Sequence, residues 1–439
     1  MQEKKYKLSA SVFYRLYGDK TVLYDTEKKK IYVFNQSAGK VFDCFKEFST
    51  LESCCAELSE TYRLDEGLLN DIKQFVDYSS TKEILISENV LSENKNDLES
   101  RFKHSEFVDG KLLSVQIELT FGCNEKCRHC YCVASDVPEL STKEVFMLLD
   151  ELREMDVFDI TFTGGDLFVR ADAFDLIEYA VKKGFAVNIF TNGIALTDSD
   201  LIKLKSYHPK SIHFSIYSHI PEKHDYFTQV KGSFEKTVDA IRKCVLLKIP
   251  TNIKTCVMNY NADDIEGILR LAEELGTTIQ ISMSICAKND GDITPTQFRL
   301  DTVDKYTSIM KKVNRHMFVH CSNEFSALRL DDDDYICGAG RHSLNINPYG
   351  DVFACNSLLI KCGNIRETSI SDIWANSEEL KQIREMKFSM IKGCENCSDV
   401  IYCNYCPGNA LTETGDPLKR YDEACMLTKS KKNMKKGGV

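Results

Sequence analysis

Three cysteines in the spacing Cys123-x3-Cys127-x2-Cys130 follow directly on an apolar run, Val115 to Thr120, that reads as a strand. The thiols therefore sit on a loop at a strand's carboxyl end, where open α/β sheets and barrels carry their chemistry. Three thiolates can hold three irons of a four-iron cluster and leave the fourth iron open to an outside ligand. Structural zinc takes four protein ligands, and Cys132, two residues on, is poorly directed to the same centre. The chain has 19 cysteines in 439 residues. That odd count, with a lysine-bearing start (Met1 to Ser9) that has no apolar block, opposes a secreted disulfide scaffold. A cytoplasmic, reducing setting is expected, where such thiols bind metal or pack as small hydrophobes.

The loop opens a repeating pattern. Strands are expected at Val115–Thr120, Asp159–Thr163, Ala186–Thr191, Ser211–Tyr217, Asn252–Met258 and Thr278–Met283, with helices between. One helix shows Val145, Leu148, Leu149, Leu152 and Met155 on one face, opened by the capping box Ser141 and Glu144. Another shows Phe234, Val238, Ile241 and Val245. Six such units imply an α/β fold with a parallel sheet, a partial (β/α)6 barrel short of the eight units of a closed one.

The chain length suggests roughly two to three domains. Residues 1–82 read as a winged-helix-like module. Its strands are Ala10–Tyr17, Lys20–Tyr24 and Lys30–Phe34. Helices then carry Val41, Phe42 and Phe45, and Leu68, Leu69, Ile72, Phe75 and Val76. A polar linker is expected over 83–110, the partial barrel over 111–300, a bridging segment over 301–336, a cysteine-rich domain over 337–428 and a solvated basic tail over 429–439.

The second cysteine constellation lies in that fifth region. Cys337 is followed by twelve residues, Gly350, four more and Cys355; then come Cys394-x2-Cys397-x5-Cys403-x2-Cys406, and Cys425. Seven cysteines so arranged fit auxiliary iron–sulfur clusters or two zinc ribbons. Cys44, Cys54, Cys55, Cys132, Cys244, Cys256, Cys286, Cys321 and Cys362 fall outside both constellations, most in apolar patterns suited to buried thiols. The net charge of −10, from 56 basic and 66 acidic residues, opposes a general nucleic-acid binder. No apolar run approaches the roughly 18 residues a membrane span needs.

Cys123-Asn124-Glu125-Lys126-Cys127-Arg128-His129-Cys130 resembles the signature of the radical S-adenosylmethionine family. The resemblance implies that the open iron chelates S-adenosylmethionine, whose cleavage yields a 5′-deoxyadenosyl radical that takes hydrogen from a substrate. It implies cofactor contacts from His129 before the last ligand, from Gly164, Gly165 and Asp166 after the second strand, from Asn192 after the third and from Ser215 on the fourth. Asp166 stands where relatives usually have Glu, with a shorter reach to the cofactor's amino group. His224 is read as a loop hydrogen-bond partner, and no catalytic acid or base is assigned.

The later cysteines are similar to the SPASM extension of peptide-modifying radical enzymes. That resemblance implies a first auxiliary cluster on Cys337, Cys355 and Cys406, and a second on Cys394, Cys397, Cys403 and Cys425. It totals three [4Fe-4S] clusters. The first has three obvious ligands; Cys321, Cys362 or a substrate thiolate could supply the fourth. Lys30-Ile31-Tyr32-Val33-Phe34-Asn35-Gln36-Ser37-Ala38-Gly39 resembles the recognition element of the pyrroloquinoline-quinone-biosynthesis type, which binds a precursor peptide's leader as an added strand.

Together these resemblances imply a maturase of ribosomally made peptides, with thioether formation favoured. Radical carbon–carbon or carbon–oxygen crosslinking, epimerisation and sulfatase-maturase-like side-chain oxidation remain open. So does a non-catalytic zinc-ribbon protein. Expected partners are the precursor peptide, bound through residues 1–82, and an electron donor such as a flavodoxin or ferredoxin, with no nucleic acid and no membrane.

Overall fold

The computed structural model describes residues 4–9, 12–17, 20–25, 30–62, 64–87, 111–313, 319–321 and 335–436. The chain folds as two units, Met1–Asp109 and Gly110–Val439.

In the first unit, β1 (Lys5–Leu8) precedes the strands β2 (Val12–Tyr17), β3 (Lys20–Asp25) and β4 (Lys30–Asn35), which form an antiparallel meander. α1 (Gln36–Asp43), β5 (Ser49–Thr50), α2 (Leu51–Ser59), α3 (Glu66–Thr81) and β6 (Leu85–Ser87) follow. Each helix opens on a side-chain cap: Asn35, Thr50 and Asp65 each accept a backbone N–H one turn in. Leu23, Phe42, Phe45 and Val76 are buried, and Phe34 packs edge-on against Phe75 at 5.2 Å. Leu68 and Leu69, expected on the buried face of α3, are exposed; Ile72 and Val76, with the half-buried Phe75, carry that stripe inward. The linker expected from residue 83 begins later, because Leu85 is buried and β6 pairs antiparallel with β1. Positions 88–110 lie outside the described residues.

The second unit alternates β7 (Ser114–Thr120), α4 (Thr142–Glu154), β8 (Asp159–Gly164), α5 (Ala173–Lys182), β9 (Ala186–Thr191), α6 (Asp198–Tyr207) and β10 (Ser211–Ser215). Then come α7 (Pro221–Thr228), α8 (Ser233–Leu246), β11 (Thr251–Cys256), α9 (Ile265–Glu274), β12 (Thr278–Ser282), α10 (Val303–Val313) and β13 (Val319–Cys321). The six expected strands all form, and each is parallel to its sheet neighbours. Their apolar residues meet helices whose buried positions recur at helical spacing, as Val145, Leu148, Leu149 and Leu152 do on α4. The capping box of Ser141 and Glu144 is present. Asp225 caps α8 from outside: Oδ1 accepts from Phe234 N at 2.9 Å and from Ser233 Oγ at 3.0 Å.

The cysteine-rich region does not stand apart from this sheet. β14 (Ser343–Ile346) lies parallel beside β7, and β15 (Asp351–Phe353) and β16 (Lys361–Asn364) extend it antiparallel. The described sheet runs β13-β12-β11-β10-β9-β8-β7-β14-β15-β16. Helices α11 (Ile370–Asn376), α12 (Glu378–Arg384), α13 (Pro407–Thr414) and α14 (Asp422–Lys436) complete the unit. The bridging segment holds α10, which packs on α14. The basic tail expected from residue 429 is corrected accordingly: α14 continues to Lys436, and Ser430, fully buried, donates to Val303 O at 3.0 Å. Among the described residues no helix is long and apolar enough to cross a membrane.

Candidate functional site

The loop after β7 is pinned at both ends. Glu139 Oε1 accepts from Phe121 N at 2.8 Å and from Thr120 Oγ1 at 3.0 Å. Further along, Lys126 N donates to Thr228 O at 3.0 Å and Arg128 N to Phe227 O at 3.1 Å, tying the loop to the end of α7. On this loop Cys123, Cys127 and Cys130 are close enough to feel one another's charge. Burial pushes the Cys123 thiol up to about 11 and Cys127 well above its ordinary value. A hydrogen bond from Cys132 pulls Cys130 down to about 7 and raises Cys132 in turn. Three grouped thiols are a donor set that iron binds as thiolates, with release of whatever protons they carry.

Close backbone approach brings the other expected residues beside this loop. A Cβ on Gly164 (φ +134°) would fall 2.1 Å from Thr120 O, and one on Gly165 2.1 Å from Gly122 O. Both positions thus require glycine for β8 to end against the cysteine loop. Asp166 Oδ2 accepts from Thr191 Oγ1 at 2.7 Å and from Asn192 N at 2.8 Å; Oδ1 accepts from Phe168 N at 3.0 Å. Only 1% exposed, this carboxylate faces inward and joins the ends of β8 and β9. Three donors thus hold the Asp166 carboxylate in place between the ends of the two strands. Burial raises its pKa. Asn192 reaches the cysteine loop directly, with Nδ2 at 2.6 Å from Asn124 Oδ1 and 3.8 Å from Cys123 Sγ. Ser215 ends β10 and hydrogen-bonds Tyr217.

His129 packs edge-on to Tyr217 at 4.9 Å and against Phe227 at 5.1 Å, and burial lowers it to about 4. His224 Nδ1 accepts from Tyr217 N at 3.2 Å, the loop role expected of it. Glu125, raised to about 7 by burial, has Oε2 at 3.3 Å from Cys127 Sγ. Glu125 Oε1 and His129 Nδ1 are buried without a partner. Unsatisfied polar atoms beside three grouped thiols fit a polar cofactor at this place. Among the described residues no three His, Cys, Asp or Glu side chains converge as the ligands of one metal ion do, so the fit rests on donor chemistry and position.

The later cysteines divide into two groups. Cys394, Cys397, Cys403 and Cys425 line one cavity of about 710 Å³ together with Arg420, whose Nε lies 3.2 Å from Cys425 Sγ. Burial raises Cys394 to about 11, and Cys403, Cys425 and Cys397 add to the rise. Cys406, raised to about 12 by burial, feels Cys355, Cys286 and Cys337. Sequence reasoning passed over Cys286, which lies four residues beyond β12. That place, a strand's carboxyl end, was the available signal. Cys362 is buried on β16, where its charged neighbours are Glu379 and Arg384 rather than these thiols. The side chain of Cys321 lies outside the described residues.

Residues 117–272 match the Radical SAM superfamily, 337–398 the SPASM iron–sulfur cluster-binding domain, and 20–85 the coenzyme PQQ synthesis protein D family. The central and following domains define a radical S-adenosylmethionine enzyme: the first binds S-adenosylmethionine and a [4Fe-4S] cluster, and the SPASM domain binds auxiliary iron–sulfur clusters. Similar proteins carry more than one activity in their names. An AdoMet-dependent heme synthase of Methanosarcina barkeri is 28% identical over 72% of this chain and 96% of its own length. A mycofactocin maturase of Mycolicibacterium smegmatis is 28% identical over 70% of this chain and 81% of its own. In fold, the chain resembles Streptococcus suis SuiB bound to its precursor peptide SuiA (TM-score 0.64, 12% identity, 96% and 99% coverage). It also resembles anSMEcpe bound to AdoMet and a peptide (TM-score 0.59, 15% identity, 74% and 97% coverage).

Proposed function

We propose that the protein matures a ribosomally made peptide by installing thioether links between a cysteine sulfur and a carbon of the same precursor. The observation that carries the peptide reading is a PqqD-type unit on the same chain as a radical SAM domain and a cysteine-rich SPASM domain. The mycofactocin maturase relative and the SuiB complex support it.

Cys123, Cys127 and Cys130 would hold the cluster that binds S-adenosylmethionine, and the bound pair supplies a hydrogen-abstracting 5′-deoxyadenosyl radical. Gly164 and Gly165 let the backbone close on that place, Asn192 steadies the Cys123 side, and Asp166 holds Asn192. His129 and Ser215 shape the wall toward Tyr217. Residues 1–82 would take the leader as an added strand. A flavodoxin- or ferredoxin-like donor would deliver the initiating electron. The net change in each link is the loss of two hydrogens: one as an atom to the deoxyadenosyl group, one as a proton from the thiol. The remaining electron needs an acceptor, which an auxiliary cluster held by the SPASM cysteines would supply.

The test is anaerobic reaction of the reconstituted enzyme with S-adenosylmethionine, reductant and candidate precursors encoded beside its gene. A precursor that loses two hydrogens per link and one alkylatable thiol per link supports the reading. Unchanged mass with inverted residues, or crosslinks that leave every thiol free, would replace thioether formation by another radical chemistry. The heme-synthase relatives favour a second substrate, a heme precursor; conversion of that compound with no effect on any peptide would remove the peptide reading.

A further inference from the structure

The first auxiliary group has three cysteines by sequence pattern, and four thiols by position. Ser357 bridges two of them: its N–H lies 3.2 Å from Cys355 Sγ and its Oγ 3.3 Å from Cys286 Sγ. Cys355 is two residues from Ser357, whereas Cys286 comes from the loop after β12, 71 residues away. Three further contacts hold that loop against the others. Asn409, on the first turn of α13, donates from Nδ2 to Ser284 Oγ at 2.9 Å. Arg299 donates to Ile285 O from Nε at 2.8 Å and from Nη2 at 2.6 Å, and pairs with Glu413 on α13 and with the buried Glu423 on α14. Gly408 touches the Ser357 backbone so closely that a Cβ there would lie 2.3 Å from Ser357 O. Cys406 is the N-cap of α13, and its thiol is near enough to Cys355, Cys286 and Cys337 to feel their charge. Residues on both sides of Cys286 are buried, although the residue itself is only half so.

We propose that Cys286, supplied by the end of the sixth barrel strand, is the fourth protein ligand of the first auxiliary cluster, with Cys337, Cys355 and Cys406. Ser357 then supplies hydrogen bonds to two of the ligating sulfurs, an arrangement that adjusts a cluster's potential. With four thiolates the cluster has no open iron. A precursor cysteine would then react near this cluster without binding to it, and the cluster would supply an acceptor for the electron released by bond formation. The ligand assignment of Cys286 rests on the SPASM domain carrying iron, and the role given to the cluster rests also on the thioether formation proposed above.

The test uses the full chain with Cys123, Cys127 and Cys130 all replaced by Ala, so that only auxiliary iron remains. That protein should hold roughly eight irons from two four-iron clusters. Adding Cys286→Ala should lower the iron content by one to four atoms or yield a three-iron EPR signal. Adding Cys362→Ala should change neither. Cys286→Ser, which keeps a possible oxygen ligand, should retain iron with a shifted potential or an altered Mössbauer spectrum. Full iron and unchanged spectra in both Cys286 variants would overturn the proposal, as would the same loss appearing with Cys321→Ala alone. A background protein with zinc and no iron would instead overturn the cluster reading of the domain.

Discussion

The carboxylate of Asp166 lies 2.8 Å from the backbone nitrogen of Asn192, so the ends of the second and third barrel strands are fastened by one buried charge. Asn192 in turn touches Asn124 and Cys123, which makes Asp166 the far end of a three-residue chain reaching the Cys123 thiol. Replacing Asp166 by Asn leaves one acceptor oxygen where two are used, and turns an NH2 group toward an N–H or O–H donor. The expected cost is ~1–3 kcal/mol of stability, read as a lowered denaturation midpoint under anaerobic conditions. S-adenosylmethionine cleavage should fall with it. Unchanged stability would show that the carboxylate is not needed for the fastening.

Gly165→Ala is predicted to act through shape alone. The new Cβ meets a backbone oxygen, not a flexible side-chain tip, so the loop bearing Cys123 must move. A cost of about 1–3 kcal/mol follows from overpacking of this kind. Iron at the first cluster should drop while auxiliary iron is kept, which Mössbauer spectroscopy separates.

Asn192→Leu removes the N–H directed at Cys123 Sγ. Hydrogen bonds to cluster sulfurs favour the reduced state, so the midpoint potential of this cluster should become more negative. Potentiometric EPR on the variant checks the direction; a potential equal to that of the wild type would deny Asn192 this role.

Iron removal should loosen a defined part of the chain. The stretch from Gly393 to Arg420 holds Cys394, Cys397, Cys403 and Cys406 in short turns and 3-10 segments before and around α13. Metal binding contributes folding energy to such segments. Chelated protein should be cut first within residues 393–406 under limited proteolysis, and reconstitution with iron and sulfide should restore resistance.

How much of this was visible beforehand depended on the reach of each interaction. The capping box at Ser141 and the stripe from Val145 to Leu152 are local, and α4 formed as they implied. The six parallel strands were readable because each carries its own apolar run. Cys286 was less so: its place after a strand was the one local signal, and the thiols near it belong to residues tens of positions further along the chain. The pairing of β14 with β7 escaped for the same reason. Leu68 and Leu69 misled because helical spacing gives a face and not its neighbour, and among the described residues no element covers that part of α3 enough to bury them.

The place of β14 also fixes a sequence of events during synthesis. Gln116 on β7 and Asn345 on β14 are joined at 3.0 Å across 229 residues of chain. At about 5–20 residues per second, β7 waits roughly 10–45 seconds on the ribosome with one edge unpaired. An open strand edge is a site for pairing with other chains. A product cut short before Ser343 would keep that edge for good, so the cysteine-rich region also covers the strand edge that β7 would otherwise present.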